Sequence, residues 1–337
     1  MKAIVVEKIG EIALKDVPKP VALPGFALVK VKACAICATD LEVIDGNIPV
    51  DYPIIMGHEW SGIVEAVSDS ADARYIGKRV TGSNDVVCLV CEACRSGDWR
   101  YCPDFREIGF RENGAYAEYM RVPAYGLCEL PDSVSFSEAS MAEPLGVALG
   151  ALEKAGASFD DSLLIMGAGS IGLCVLAVAK SMGLKNIAVA AYSGKRLEIA
   201  GRMGAGTVIA TSEENIYEKM AEYHPGGTDV IIECTGMEPC IQDSLKLARK
   251  GGVIALAGYG RGKVMNIRMD DIHMNNLRVV GAGNNWNKHK QAVSLMERGA
   301  AHVGQMITER LSLEDYARGL EMARTRPAGF VKAVFEF

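Results

Sequence analysis

No stretch of this 337-residue chain approaches the ~20 consecutive apolar residues that a membrane-crossing helix needs. The longest apolar run, Leu163–Ala179, is broken by three glycines. The opening segment, MKAIVVEKIGEIALKDVPKP, alternates charged with apolar side chains and has no uninterrupted apolar centre of the kind a secretion signal carries. The expectation is a cytoplasmic protein with no membrane partner. Positive charge is also short: 36 Lys plus Arg stand against 42 Asp plus Glu, for a net charge of -6. Such a surface repels a phosphate backbone, which disfavours nucleic acid as a partner. Internal repeats and low-complexity segments are absent. With 49% hydrophobic and 23% charged residues the composition is that of an ordered globular chain, and the length suggests about two domains.

Cysteine, by contrast, is plentiful. There are ten, and Cys88, Cys91, Cys94 and Cys102 follow the spacing C-x2-C-x2-C-x7-C. Without a secretion signal, such usage points to metal or redox chemistry before disulfides. Four thiolates this close can close a tetrahedron around Zn²⁺ with no open position, which makes a structural site. The neighbours Glu92, Arg95, Asp98 and Arg100 are polar, whereas a free cysteine prefers burial. A disulfide pair is the remaining option.

The texture of the chain changes along its length. The first ~130 residues read as short strands broken by Gly and Pro, among them Lys2–Val6, Phe26–Ala33, Gly62–Val67 and Gly77–Thr81. A helix is expected over Ser137–Leu152, with Ser135 or Ser137 as its cap. From Ser162 onward, strand-length apolar runs alternate with amphipathic helices. The strands are Ser162–Met166, Asn186–Ala190, Thr207–Ala210, Asp229–Glu233, Gly252–Ala257 and Arg278–Ala282. This alternation implies βαβ units and a parallel sheet. Lys288–Ala323 reads as two helices and Phe330–Phe337 as a last strand.

Leu163–Met166 runs straight into Gly167-Ala168-Gly169-Ser170-Ile171-Gly172. In such a strand–turn–helix, Gly167 makes the tight turn, Gly169 lets a pyrophosphate approach, and Gly172 lets helix and strand pack closely. Ser170 and Ile171 open the helix whose free N–H groups would hold the anion. An acid about twenty residues on would bind a ribose 2′-OH. Ile187–Arg196 holds none; Ala191 ends the strand, followed by Ser193, Lys195 and Arg196. A hydroxyl and two cations suit a 2′-phosphate, so NADP is expected in preference to NAD. Lys195 and Arg196 could instead merely open a solvated helix. Thr235 and Gly258 end later strands and are expected to flank the cofactor.

A looser group comprises Cys37, His58, Glu59 and Glu143. A thiolate, an imidazole and one or two carboxylates with a water would make an open, catalytic metal site. On spacing alone these residues are as readily structural.

Taken together, Ala35–Asp40, Gly57-His58-Glu59-x-x-Gly62, the four-cysteine lobe, Asn113–Tyr119, Glu143-Pro144-Leu145 and the glycine turn resemble the medium-chain dehydrogenase/reductase superfamily, zinc alcohol dehydrogenase type. The resemblance runs nearly end to end. It implies an α/β protein with a GroES-like β-rich catalytic domain over 1–145 and 287–337, and a Rossmann doubly wound parallel-sheet domain over 146–286. It implies two Zn²⁺ per chain, with Cys37 and His58 on the catalytic one. The third ligand differs among relatives, which leaves Glu59 and Glu143; Glu59 is favoured at rest, with Glu143 reaching the metal through water. Thr39 looks like the family's relay hydroxyl, taking the proton from the alcohol. Glu42 stands where many relatives place a relay His, and is either a second relay group or a surface charge. Asp40 is expected to hold the loop by capping. Asn284, Asn285 and Trp286 could read substrate hydroxyls or cofactor.

The expected activity is hydride transfer between a secondary hydroxyl of a polyol, sugar or cyclitol and NADP(H). Glu42, Glu143 and the polar stretch Arg106–Asn113 suit hydroxyl-rich ligands. The alternatives are a simple secondary-alcohol or ketone reductase of the same family, and a non-catalytic zinc and dinucleotide sensor. Relatives suggest a homodimer or homotetramer.

Overall fold

The computed structural model describes residues 1–192, 194–283 and 288–337. Ser193, Asn284, Asn285 and Trp286 lie outside the described residues. The chain divides into two compact units, the first comprising Met1–Glu143, Trp286–Glu297 and Ile307–Phe337, the second Pro144–Asn285 and Arg298–Met306.

The first unit is built on a seven-stranded sheet. Its strands lie in the order Leu127–Glu129, Arg79–Gly82, Glu59–Val67, Phe26–Ala35, Lys332–Glu336, Ile307–Leu311, with Tyr119–Pro123 also paired to Phe26–Ala35. The long strand Phe26–Ala35 is buried over most of its length, and apart from Lys30 and Lys32 its side chains are apolar or small. A three-stranded sheet of Glu11–Asp16, Lys2–Lys8 and Ile54–Ile55 completes the unit. Its core gathers Val29, Val31, Trp60, Met120, Tyr116 and Phe335.

Register is what positions the functional residues. Ala35 pairs with Glu59 on one side and with Val334 on the other. Continuing these antiparallel registers brings Cys37, His58 and Lys332 off neighbouring strand ends. A helix, Ala38–Ile44, starts immediately after Cys37, and Asp40 supports its first turn by accepting from Cys37 N at 2.8 Å.

Two expectations from the sequence need correction. The segment 137–152 is not one helix: Phe136–Ala139 and Ala142–Ala155 are separate. Ser135 caps the first in a reciprocal box with Glu138. Pro144 lies in the first turn of the second, where its missing N–H would have had no intrahelical partner. The tail holds a strand between its two helices, His289–Glu297 and Tyr316–Thr325. That strand, Ile307–Leu311, pairs in parallel with Lys332–Glu336. Its five residues include Glu and Arg, helix formers that hid it; tertiary pairing overrides such propensity.

The second unit is a six-stranded parallel sheet in the order Thr207–Ala210, Ile187–Ala191, Leu163–Met166, Thr228–Glu233, Ala248–Leu256, Arg278–Gly281. In chain order this is 3-2-1-4-5-6, the doubly wound dinucleotide arrangement. All four residues of Leu163–Met166 are buried, as a strand covered on both faces must be. Asn215 caps the helix Ile216–Tyr223, accepting from Tyr217 N and Glu218 N. The segment Arg298–Met306, assigned by sequence to the catalytic domain, clusters with this unit. Its buried Met306 brings sulfur within 3.8 Å of Cys174 Sγ on the helix Ser170–Ser181.

Candidate metal centres and dinucleotide turn

Cys37, His58 and Glu59 each bring one donor atom into a group whose members all lie within 4.8 Å of one another. A sulfur, an imidazole nitrogen and a carboxylate oxygen form a donor set suited to Zn²⁺. His58 and Glu59 are buried and Cys37 is half-buried. His58 Nδ1 lies 3.3 Å from Asp40 Oδ1, and among the described residues neither atom has a hydrogen-bond partner. Burial works against charge on His58, but the negative charges of Asp40 and Cys37 outweigh it and hold its pKa well above the ordinary value. A buried imidazole surrounded by anionic groups and short of hydrogen bonds fits a cation in its midst.

Around this group the chain supplies a second layer. Asp40 also accepts a 2.5 Å hydrogen bond from the buried Tyr116 hydroxyl, which fixes the carboxylate beside His58. Asp40 therefore does more than cap its loop. Lys332 donates to both carboxylate oxygens of Glu59, at 2.8 and 2.7 Å, and to Ile36 O at 3.2 Å. Side-chain exposures of 4% and 1% mark this as a deeply buried ion pair. Sequence reasoning missed it; a lysine inside Phe330-Val331-Lys332-Ala333-Val334-Phe335 was the available signal. Phe110 packs against His58, with ring centroids 5.1 Å apart.

Thr39 is half-buried in the first turn after Cys37, its Oγ1 3.4 Å from Cys37 Sγ. Glu42 is 6% exposed and accepts from Asn47 Nδ2 at 2.8 Å, so the surface-charge reading falls. Glu143 is not among the three residues whose donor atoms lie within 4.8 Å of one another. It opens the helix Ala142–Ala155 instead of leaving the sheet with the other three. Burial pushes its carboxyl up to about 7; the charges of Glu59 and Glu107 add to this, while His58 and Lys332 oppose it. Glu107, within the polar stretch Arg106–Asn113, feels the charge of His58 in turn.

The second cluster joins Cys88, Cys91, Cys94 and Cys102, again within 4.8 Å. Cys88 Sγ is 3.9 Å from Cys94 Sγ and 3.6 Å from Cys102 Sγ. A disulfide is excluded, since S–S bonds are about 2.05 Å and all ten cysteines are free. The distances instead match the edge of a tetrahedron with Zn–S near 2.3 Å, about 3.8 Å. Cys91 caps the short helix Glu92–Ser96, accepting from Cys94 N, and Gly97 ends it at φ 86. Backbone N–H groups of Val90 and Cys91 lower the Cys88 thiol to about 7, towards the thiolate a metal requires.

In the second unit the glycine turn behaves as its residue types demand. Gly167 has φ +106, which favours glycine. A Cβ on Gly172 would fall 1.8 Å from Gly167 O, so helix and strand touch there. A Cβ on Gly169 would meet nothing, which leaves open space at the N-terminus of Ser170–Ser181. Ser170 Oγ is shut from solvent and has no partner among the described residues. An anion at this turn would fill the space and satisfy the hydroxyl. Ile171 follows it in the first turn. Ala191 ends its strand, Lys195 is exposed and Arg196 half-buried in the first turn of Gly194–Arg202. The Thr235 hydroxyl donates to Glu233 and accepts from Met237 N. Gly258 packs so tightly that a Cβ would come 2.1 Å from Gly236 N. Both residues shape the strand ends.

Comparison with known proteins agrees with this geometry. The family model for the alcohol dehydrogenase GroES-like domain matches residues 23–132, and that for zinc-binding dehydrogenase matches residues 170–298. Sorbitol dehydrogenase of Bacillus subtilis (strain 168) is 30% identical over 329 residues, which cover 96% of this chain and 93% of that protein. L-Threonine 3-dehydrogenase of Alteromonas mediterranea is 31% identical over 347 residues, 98% of either chain. A structure from Sinorhizobium meliloti 1021, bound to NADP, is 31% identical with a TM-score of 0.92, and the match covers 100% of this chain and 99% of that one. The chain belongs to the zinc-containing alcohol dehydrogenase family of medium-chain dehydrogenases, with a GroES-like and a Rossmann-like domain. It is an enzyme, an NAD(P)-linked dehydrogenase acting on CH–OH donors. Among the described residues no helix is long and apolar enough to cross a membrane.

Proposed function

We propose that this enzyme interconverts a secondary hydroxyl and a ketone on a polyol, sugar or cyclitol, with NADP(H) as its preferred cofactor and two Zn²⁺ per chain. The observation that carries the metal assignment is the convergence of Cys37, His58 and Glu59. Zn²⁺ at that position would make a substrate hydroxyl acidic near neutral pH. Thr39 would accept its proton, and Glu42, already held by Asn47, would pass it on. Lys332 balances the charge of Glu59, and Asp40 orients His58. Glu143 would act through water. The four cysteines would hold the structural ion.

The polyol reading is supported by acidic side chains near His58, namely Glu143 and Glu107. They suit ligands rich in hydroxyl donors better than a simple alkyl alcohol. The relatives named sorbitol dehydrogenase and L-threonine 3-dehydrogenase both carry a polar group near the carbinol in their named substrates. NADP preference is supported by Ala191 where an acid would bind a 2′-OH, with Lys195 and Arg196 following. Ten cysteines without a disulfide suit a reducing, cytoplasmic compartment. Self-association as a dimer or tetramer is proposed from relatives.

The test is a panel of polyols and simple secondary alcohols, each assayed with NAD and with NADP. Polyols turned over with NADP at higher kcat/KM support the reading. Better turnover of simple alcohols, or an NAD/NADP ratio well above one, contradicts the corresponding part.

A further inference from the structure

Glu107 is within electrostatic reach of His58, and its carboxylate has so far been given no specific role. Its backbone is fixed from several directions. Arg106–Glu107 pairs with Asp85–Val86, with Glu107 opposite Asp85. Asn84, just before that strand, donates to His58 O at 2.7 Å and accepts from Ile108 N at 3.0 Å. One side chain and its own carbonyl thus tie the backbone of His58 to that of the residue after Glu107. Beyond Glu107 the chain curls tightly: Glu107 O accepts from Phe110 N, Arg111 N and Glu112 N at 3.2, 2.8 and 3.1 Å. This curl sets the Phe110 ring against His58.

The side chain is different. Glu107 is half-buried, yet among the described residues no donor hydrogen-bonds to its carboxylate and no cation pairs with it within 4 Å. The charges of His58 and Arg100 reach it, and its own charge reaches Glu143. Burial without a donor pushes its carboxyl above the usual range. A half-buried carboxylate on a fixed backbone, with no donor from the described residues, is left able to accept from a ligand.

We propose that Glu107 is a specificity-determining residue whose carboxylate accepts a hydrogen bond from a second substrate hydroxyl, on the carbon next to the one that reacts. The assignment rests on the polyol reading above and makes it specific: the preferred substrates are vicinal diols. A site built to hydrogen-bond a substrate hydroxyl discriminates strongly against the analogue lacking it, by up to about 10⁴-fold, because its own polar group is then left unpaired. An alkyl pocket gives no such ratio.

The test compares butane-2,3-diol with butan-2-ol, which differ by that hydroxyl. Wild type, Glu107→Gln and Glu107→Met are prepared as zinc-loaded full chains. The diol to mono-alcohol ratio is read twice: in kcat/KM, and in Kd by calorimetry in the absence of cofactor. The expected result is a ratio that falls about 100-fold in Glu107→Met in both readouts, with Glu107→Gln in between because its amide oxygen still accepts. Equal losses on both alcohols, or an unchanged ratio, overturn the role of Glu107 while leaving the polyol reading intact. A wild type with no preference for the diol overturns the polyol reading and this inference with it. Should Glu107→Met fail to fold, an unchanged ratio in the near-isosteric Glu107→Gln overturns it on its own.

Discussion

Lys332 and Glu59 stand 273 residues apart in sequence and form a bidentate ion pair from which water is almost wholly excluded. Removing one partner of such a pair leaves an uncompensated buried charge, at a cost of about 3–5 kcal/mol. Lys332→Met is therefore expected to lower the unfolding free energy of the zinc-free chain by about that amount in urea titration. The double variant Lys332→Met/Glu59→Gln should recover most of the loss, since neither charge remains. If the double variant is no more stable than the single, the pair is not coupled in this way.

The glycine turn separates packing from ligand space. At Gly172 an added Cβ would collide with Gly167 O, so Gly172→Ala should lower the melting temperature of the cofactor-free enzyme. At Gly169 an added Cβ meets nothing, so Gly169→Ala should melt like wild type. Its Cβ would instead intrude where the pyrophosphate approaches, and the dinucleotide Kd should rise at least about tenfold. Calorimetric titration of the two variants beside their melting curves checks both halves.

Cofactor choice turns on the end of the strand Ile187–Ala191. Ala191→Asp places a carboxylate where it can bind a ribose 2′-OH and repel a 2′-phosphate. The NAD/NADP ratio of kcat/KM should rise about tenfold or more. An unchanged ratio would mean that discrimination lies elsewhere.

His289 is buried, and neither ring nitrogen has a partner among the described residues. Burial lowers its pKa to about 4, against 6.5 unperturbed. Because the folded pKa is depressed, the folded chain binds fewer protons than the unfolded chain between these values. Stability is unaffected above about pH 6.5, declines as pH falls towards 4, and levels off below. The linked loss is on the order of 3 kcal/mol. The difference in unfolding free energy between wild type and His289→Met, measured from pH 7 to 4, should move in favour of the variant as pH falls. A difference independent of pH would contradict this.

Much of this was legible from sequence because the relevant signals are local. The four cysteines span fifteen residues, and Leu163–Gly172 carries strand, turn and helix start in one segment. What escaped depends on pairing between distant segments. Lys332 reaches Glu59 only because Ala35 pairs with both Glu59 and Val334. The stretch Arg106–Asn113 was read as polar, but the link of its Glu107 to His58 depends on Asn84 and a strand register that no spacing rule encodes. Ile307–Leu311 became a strand because Lys332–Glu336 offered it an edge. Glu42 was left between relay and surface charge because its burial is set by packing of its helix.

The measurement that bears most directly on the working zinc is zinc content per chain by elemental analysis, taken with turnover, for wild type and Cys37→Ser. Two zinc ions in wild type, and one zinc with no turnover in Cys37→Ser, are the predicted results. A Cys37→Ser protein that retains both ions, or that turns over at the wild-type rate, would contradict a catalytic centre built on Cys37, His58 and Glu59.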